Sequence, residues 1–274
     1  MIPSDCFGTA VTRDRVAREP RLRSFVSDAN VRPMPNYQHG DVNIHYEEFG
    51  QGYPVLLLAP GGMRSNIEFW KATPYDPTIE LANDFRLIAM DQRNAGHSTA
   101  PIRGSDGWRV YCEDQLHLLE HLKVDRCHVI GNCIGGAFAL ALADAAPKRI
   151  TAAVLQQPIG LSSQNRETFL NLFSSWAEDQ KKLHADVSPE AWNEFRERMY
   201  GGDFVFAVSR DAVRKLQTPL LVLQGNDVYH PSATSREIVE IAPHAELVER
   251  WKDPEIVPET IERVREFLKK NTPN

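Results

Sequence analysis

Between His128 and Ala143 the chain reads HVIGNCIGGAFALALA, an apolar run that passes through Gly-x-Cys-x-Gly-Gly into a stretch of small residues. Small residues on both sides of one reactive side chain suit a turn so tight that only glycine or alanine fits beside it. Such a turn displays a nucleophile, and Cys133 stands at its apex. A thiol needs little help: at an ordinary pKa of about 8.5 a few per cent is already thiolate at neutral pH. A helix N-terminus, which the following small-residue run would supply, lowers that pKa further. The chemistry implied is nucleophilic attack by a thiolate.

The other three cysteines, Cys6, Cys112 and Cys127, form no Cys-x-x-Cys pair and no metal-ligand spacing with histidine. They read as free thiols, with Cys112 in a helical pattern and Cys127 in a strand pattern, where burial is the default. No ligand cluster and no phosphate-binding glycine motif is present, so neither a metal nor an organic cofactor is expected.

The elements that must hold Cys133 are visible as periodic runs. DVNIHYEEFG (Asp41 to Gly50) alternates apolar and polar residues as an antiparallel strand does. PVLLLAP, FRLIAMD, CHVIG, AAVLQQP and PLLVLQG are continuous apolar runs, the mark of strands buried on both faces. Helical patterns such as YCEDQLHLLEHL separate them, and alternation of this kind implies a parallel sheet with right-handed crossovers. A last strand, AELVERW, precedes an amphipathic helix, PETIERVREFLKK, with proline in its first turn and lysines at its end. Between Gly160 and about Gln217 the alternation stops and two aromatic-rich helical segments appear, RETFLNLFSSWAEDQ and PEAWNEFRERMY. These could cover the carboxyl edge of the sheet.

The chain has 274 residues and a net charge of −6, with lysine and arginine scattered rather than clustered. One main domain is expected, and nucleic acid is not an expected partner. No apolar run reaches the roughly 18 residues needed to span a bilayer, and the first thirty residues lack the apolar centre of a signal peptide. The expectation is a cytoplasmic protein with no membrane span.

Four segments, in order, sit at the ends of these strands: LLLAPGG, DQRNAGHS, GNCIGG and LQGND. Together they resemble the α/β-hydrolase fold superfamily over roughly residues 40 to 270. The fold implied is a mostly parallel sheet flanked by helices with a small helical lid. The domains implied are an N-terminal extension over 1–36, a core over 37–160 and 216–274, and a lid over 161–215. Cys133 falls at the nucleophile position, which is serine in most of the superfamily and cysteine in some branches. The backbone N–H of Ile134, backed by the positive end of the following helix, would be one oxyanion donor. The APGGMRS loop matches the usual His-Gly loop, with Pro60 in place of the histidine, so Gly62 would supply the second. Asp227 matches the triad acid. DQRNAGHS matches a bracing turn in which Asn94 replaces a glycine.

The base departs from the pattern. Relatives place a histidine after the last strand, whereas this chain has none after His244. His244 precedes that strand and reads as an exposed turn residue. His230, three residues after Asp227, is the candidate base. Each position also has a structural reading: Cys133 as an inert thiol, Asp227 as a turn former, His230 as a loop histidine held by Pro231. His97 reads as a local contact, and His45, His117, His121 and His128 as scaffold. Phe69, Trp70, Phe169, Phe173, Trp176 and Trp192 read as core, with two or three available to line an apolar acyl pocket.

The expected function is hydrolysis of a small ester, lactone or thioester through an acyl-cysteine, with a small-molecule acyl substrate as the partner. In nucleophile type this resembles dienelactone hydrolases. Two alternatives stay open: an acyltransferase or cyclase using the same cysteine, and an inactive hydrolase-fold binding protein.

Overall fold

The computed structural model describes residues 35–273. The proposed N-terminal extension, apart from its last two positions, and Cys6 therefore lie outside the described residues.

Eight strands form one sheet: β1 (Asn36–His39), β2 (Val42–Phe49), β3 (Tyr53–Leu58), β4 (Phe85–Met90), β5 (Cys127–Asn132), β6 (Ile150–Gln156), β7 (Leu220–Leu223) and β8 (Ala245–Val248). Their spatial order is β1-β2-β4-β3-β5-β6-β7-β8. The β1–β2 and β2–β4 pairs are antiparallel and every other pair is parallel. The chain between strands forms α1 (Pro77–Glu80), α2 (Trp108–His121), α3 (Ile134–Ala145), α4 (Arg166–Gln180), α5 (Pro189–Tyr200), α6 (Arg210–Lys215) and α7 (Ser232–Ile241), and α8 (Val257–Lys270) follows β8.

Continuous apolar strands fit because both sheet faces are covered. On β3, Leu56 and Leu58 join a core that includes Phe138 of α3 and Leu118 of α2. Val55 and Leu57, pointing the other way, join Val264 and Phe267 of α8. Each such fully buried side chain stabilises the fold by about 1.5–3 kcal/mol. Strand β1, of sequence NYQH, was not expected: it is mostly exposed and polar, and it exists because β2 offers it an open antiparallel edge. Helix α7 also lay outside the sequence expectations. Helices α4 to α6 lie between β6 and β7, and Phe169 and Leu172 of α4 and Tyr200 of α5 face the same cavity as Cys133, at the carboxyl ends of the strands.

Candidate active site

Cys133 sits between β5 and α3 with φ 59° and ψ −118°, a left-handed backbone that non-glycine residues rarely adopt. The glycines around it are fixed by close approach: a Cβ at Gly131 would collide with the Gly135 carbonyl, and one at Gly135 with the carbonyl of Leu58. Backbone bonds pin the turn, from Cys133 N–H to the Gln156 carbonyl (3.0 Å) and from the Gly136 and Ile159 N–H groups to the Cys133 carbonyl (3.1 and 3.2 Å). The residue thereby lines a cavity of about 700 Å³.

Asp227 and His230 share one turn after β7, closed by reciprocal backbone bonds. The Asp227 carboxylate accepts from the backbone N–H of Tyr229 (2.9 Å) and of His230 (3.0 Å). His230 Nδ1 lies 2.9 Å from one carboxylate oxygen and 2.8 Å from the other. The imidazole is buried, and among the described residues its Nε2 meets no conventional hydrogen-bond partner. Both residues line the cavity with Cys133.

The electrostatics tie the three together. Burial opposes charge on Cys133, yet the neighbouring His230, with the backbone N–H groups of Gly61 and Ile134, outweighs it and lowers the thiol's pKa. Burial likewise opposes charge on His230, but the Cys133 thiolate and the Asp227 carboxylate raise its pKa to about 9. For Asp227, the donors from His230 and Tyr229 overcome burial and hold the carboxyl below the usual range. His230 thus favours charge on Cys133 and on Asp227, and each of them favours charge on His230.

The other thiols differ: burial pushes Cys112 and Cys127 up to about 12. His128 is scaffold, hydrogen-bonded to Thr151 and Thr272, with burial lowering it to about 4. His97 donates its backbone N–H to Asp91 at 2.7 Å, and its ring packs against that of His45. His244 is exposed in the turn before β8.

Of the two expected oxyanion donors, the N–H of Ile134 bears on the sulfur, and Gly62 lines the cavity. The loop N–H bearing on the sulfur is that of Gly61, one residue earlier, where φ is 116°. The DQRNAGHS turn stands beside the site: Asp91 accepts from Ile67 N–H at 2.8 Å, and buried Arg93 makes a two-pronged pair with Asp114 at 2.6 and 2.9 Å. Asn94 adopts φ 56°, as a residue replacing glycine there must, and its side chain accepts from Ala100 N–H at 2.8 Å. Its carbonyl accepts from the indole of Trp176 on α4 at 3.2 Å. Among the aromatics singled out, Phe169 lines the cavity, while Trp70, Phe173, Trp176 and Trp192 are buried packing.

Tyr200, Gln157 and Lys252 are among the cavity residues that escaped the sequence reading. Tyr200 of α5 is close enough to feel the Cys133 charge. Gln157, just after β6, and Lys252, in the loop after β8, meet through a bond from Nζ to Oε1 of 3.0 Å. The pair spans 95 positions of sequence, so no local signal announces it. Among the described residues no helix is long and apolar enough to cross a membrane.

Comparison with known proteins gives the same picture of the fold. The chain is 30% identical over 212 residues to the proline iminopeptidase of Arabidopsis thaliana, covering 72% of this chain and 50% of that protein. It is 31% identical over 124 residues to the 2-hydroxymuconate semialdehyde hydrolase of Pseudomonas putida, covering 44% of this chain and 41% of that one. These matches span half or less of each relative's length. Among solved structures, the enol-lactonase from Burkholderia xenovorans LB400 superposes with a TM-score of 0.64 at 21% identity, covering 86% of this chain and 100% of that chain. The meta-cleavage product hydrolase from Pseudomonas fluorescens IP01, as a point mutant complexed with acetates, gives 0.63 at 22% identity over 84% of this chain and 96% of that one. The family model for the α/β-hydrolase fold matches residues 54–202. With its elbow, sheet order and this match in agreement, the chain belongs to the α/β-hydrolase fold family.

Proposed function

We propose that the protein hydrolyses a small ester, lactone or thioester through an acyl-cysteine intermediate. The observation that carries this reading is the line from Asp227 through His230 to Cys133, with His230 Nε2 buried and, among the described residues, without a partner that competes with the thiol.

The Cys133 thiolate attacks the carbonyl carbon, and the electron pair of the C=O bond moves to oxygen. The N–H groups of Ile134 and Gly62 hold that oxyanion, with Gly61 steadying the thiolate beforehand; a single such donor is worth a factor of about 100 to 1,000 in rate. His230 gives its Nε2 proton to the departing alcohol or thiol as the tetrahedral species collapses. Neutral His230 then takes a proton from water, whose oxygen attacks the thioester and releases the acid and the thiolate. Asp227 fixes the imidazole's orientation and balances its charge throughout. Residues 161–215 serve as a lid, supplying Phe169, Leu172 and Tyr200 as apolar wall over the acyl group.

The inactive binding protein required His230 and Asp227 to face away from Cys133; their convergence favours an enzyme. The test is rapid-mixing release of p-nitrophenolate from p-nitrophenyl acetate. Wild type should give a burst close to one equivalent followed by steady turnover, and Cys133→Ala should give neither. Equal release by the two proteins would reject the cysteine.

A further inference from the structure

Three lysine or arginine side chains line the cavity: Arg64, Lys71 and Lys252. Two have carboxylate partners. Arg64 Nη2 lies 2.7 Å from Asp179 and 2.9 Å from the Ser175 carbonyl on α4, and Lys71 Nζ lies 2.6 Å from Glu68. Lys252 differs, since its ammonium donates to the neutral Gln157 amide and makes no salt bridge among the described residues.

Position makes this informative. Lys252 lies in the loop after β8, the loop in which the sequence pattern expects a histidine, and it faces the cavity that holds Cys133. The side chain is partly buried, and burial lowers its pKa against the opposing pull of Asp227 and Asp253. An ammonium has three donors, of which one is engaged among the described residues. The backbone of its acceptor is pinned: Gln157 sits at φ 39°, an uncommon conformation outside glycine, with its N–H bonded to the Leu223 carbonyl at 2.7 Å. A partly desolvated cation with no carboxylate in direct contact is costly, and it is stabilised further when an anion reaches it.

We propose that Lys252, held by Gln157, binds a carboxylate carried by the acyl part of the substrate. The substrates are then half-esters, or lactones bearing a carboxylate, rather than simple neutral esters. This rests on the acyl-cysteine reading only in assigning the carboxylate to the acyl part.

The experiment compares two activated esters, p-nitrophenyl hemiglutarate and the neutral p-nitrophenyl valerate, by the rate at which each acylates Cys133 in intact-protein mass spectra. Wild type should prefer the hemiglutarate. Lys252→Met should reduce the ratio of the two rates at least tenfold, and Lys252→Arg, which keeps the charge, should retain most of it. A ratio unchanged in Lys252→Met, or both esters slowed by the same factor, overturns the proposal. If neither ester acylates Cys133, the acyl-cysteine reading fails by itself, and the lysine is judged by calorimetry with glutarate. Binding by wild type that is lost in Lys252→Met supports the anion site, and no binding by wild type overturns it.

Discussion

The Nδ1 atom of His230 lies 2.8 and 2.9 Å from the two carboxylate oxygens of Asp227, a residue three positions earlier in the same turn. The proposed acid and base therefore come from one loop, after β7, and the loop after β8 carries Lys252. The His230 imidazole is thus preorganised by backbone bonds of its own turn as well as by the side-chain pair.

Asp227→Asn keeps the turn's shape but removes the charge that holds the imidazole proton. Acylation of Cys133 should slow by a factor on the order of 100 to 10,000, measured with p-nitrophenyl acetate. The linkage has a definite sign. His230 stands at about 9 in the folded protein against an ordinary value of about 6.5, so its contribution to stability is complete below about pH 6.5 and is lost as pH rises through about 9. Urea unfolding should show the margin of wild type over Asp227→Asn shrinking across that window.

The thiol's reactivity should follow the same coupling. Iodoacetamide should alkylate Cys133 with a midpoint below the ordinary value of about 8.5, because His230 and the Gly61 and Ile134 N–H groups favour the thiolate. In His230→Ala, burial is opposed by the backbone donors alone, and the midpoint should rise. An unshifted midpoint would show that His230 does not act on the sulfur.

Asp114→Ala leaves Arg93 buried with Asp106, at 3.9 Å, as its one carboxylate partner among the described residues. Loss of one partner from a buried pair costs about 3–5 kcal/mol, which urea titration can measure. A change below about 1 kcal/mol would mean that the pair adds little to the turn that braces the site.

At the elbow, Gly135→Ala would drive a Cβ into the Leu58 carbonyl on β3, so the helix and strand must part. The expected result is a loss of at least about 2 kcal/mol or failure to fold, read from thermal unfolding. An alanine tolerated without loss would mean that the α3–β3 approach is looser than described.

Particular residues show what sequence could and could not reveal. The runs around Leu56 and Val129 announce buried strands because both faces of the sheet are covered, and Gly131 and Gly135 announce the elbow because close packing forbids a side chain. Asp227 and His230 were legible because a single turn joins them. Strand β1 was not, since NYQH has no apolar alternation and owes its conformation to a neighbouring edge. Lys252 and Gln157 were not, because a lysine in a loop reads as a solvated charge until the fold brings it beside a residue 95 positions away. The choice between Gly61 and Gly62 depends on backbone angles that two adjacent glycines leave open.

The most direct test of the central claim is a time course of intact-protein and peptide mass spectra after mixing with p-nitrophenyl acetate. The account predicts an acetyl adduct confined to the peptide containing Cys133, appearing before steady turnover and disappearing as ester is exhausted. An adduct on another residue, or turnover that persists in Cys133→Ala, would contradict it.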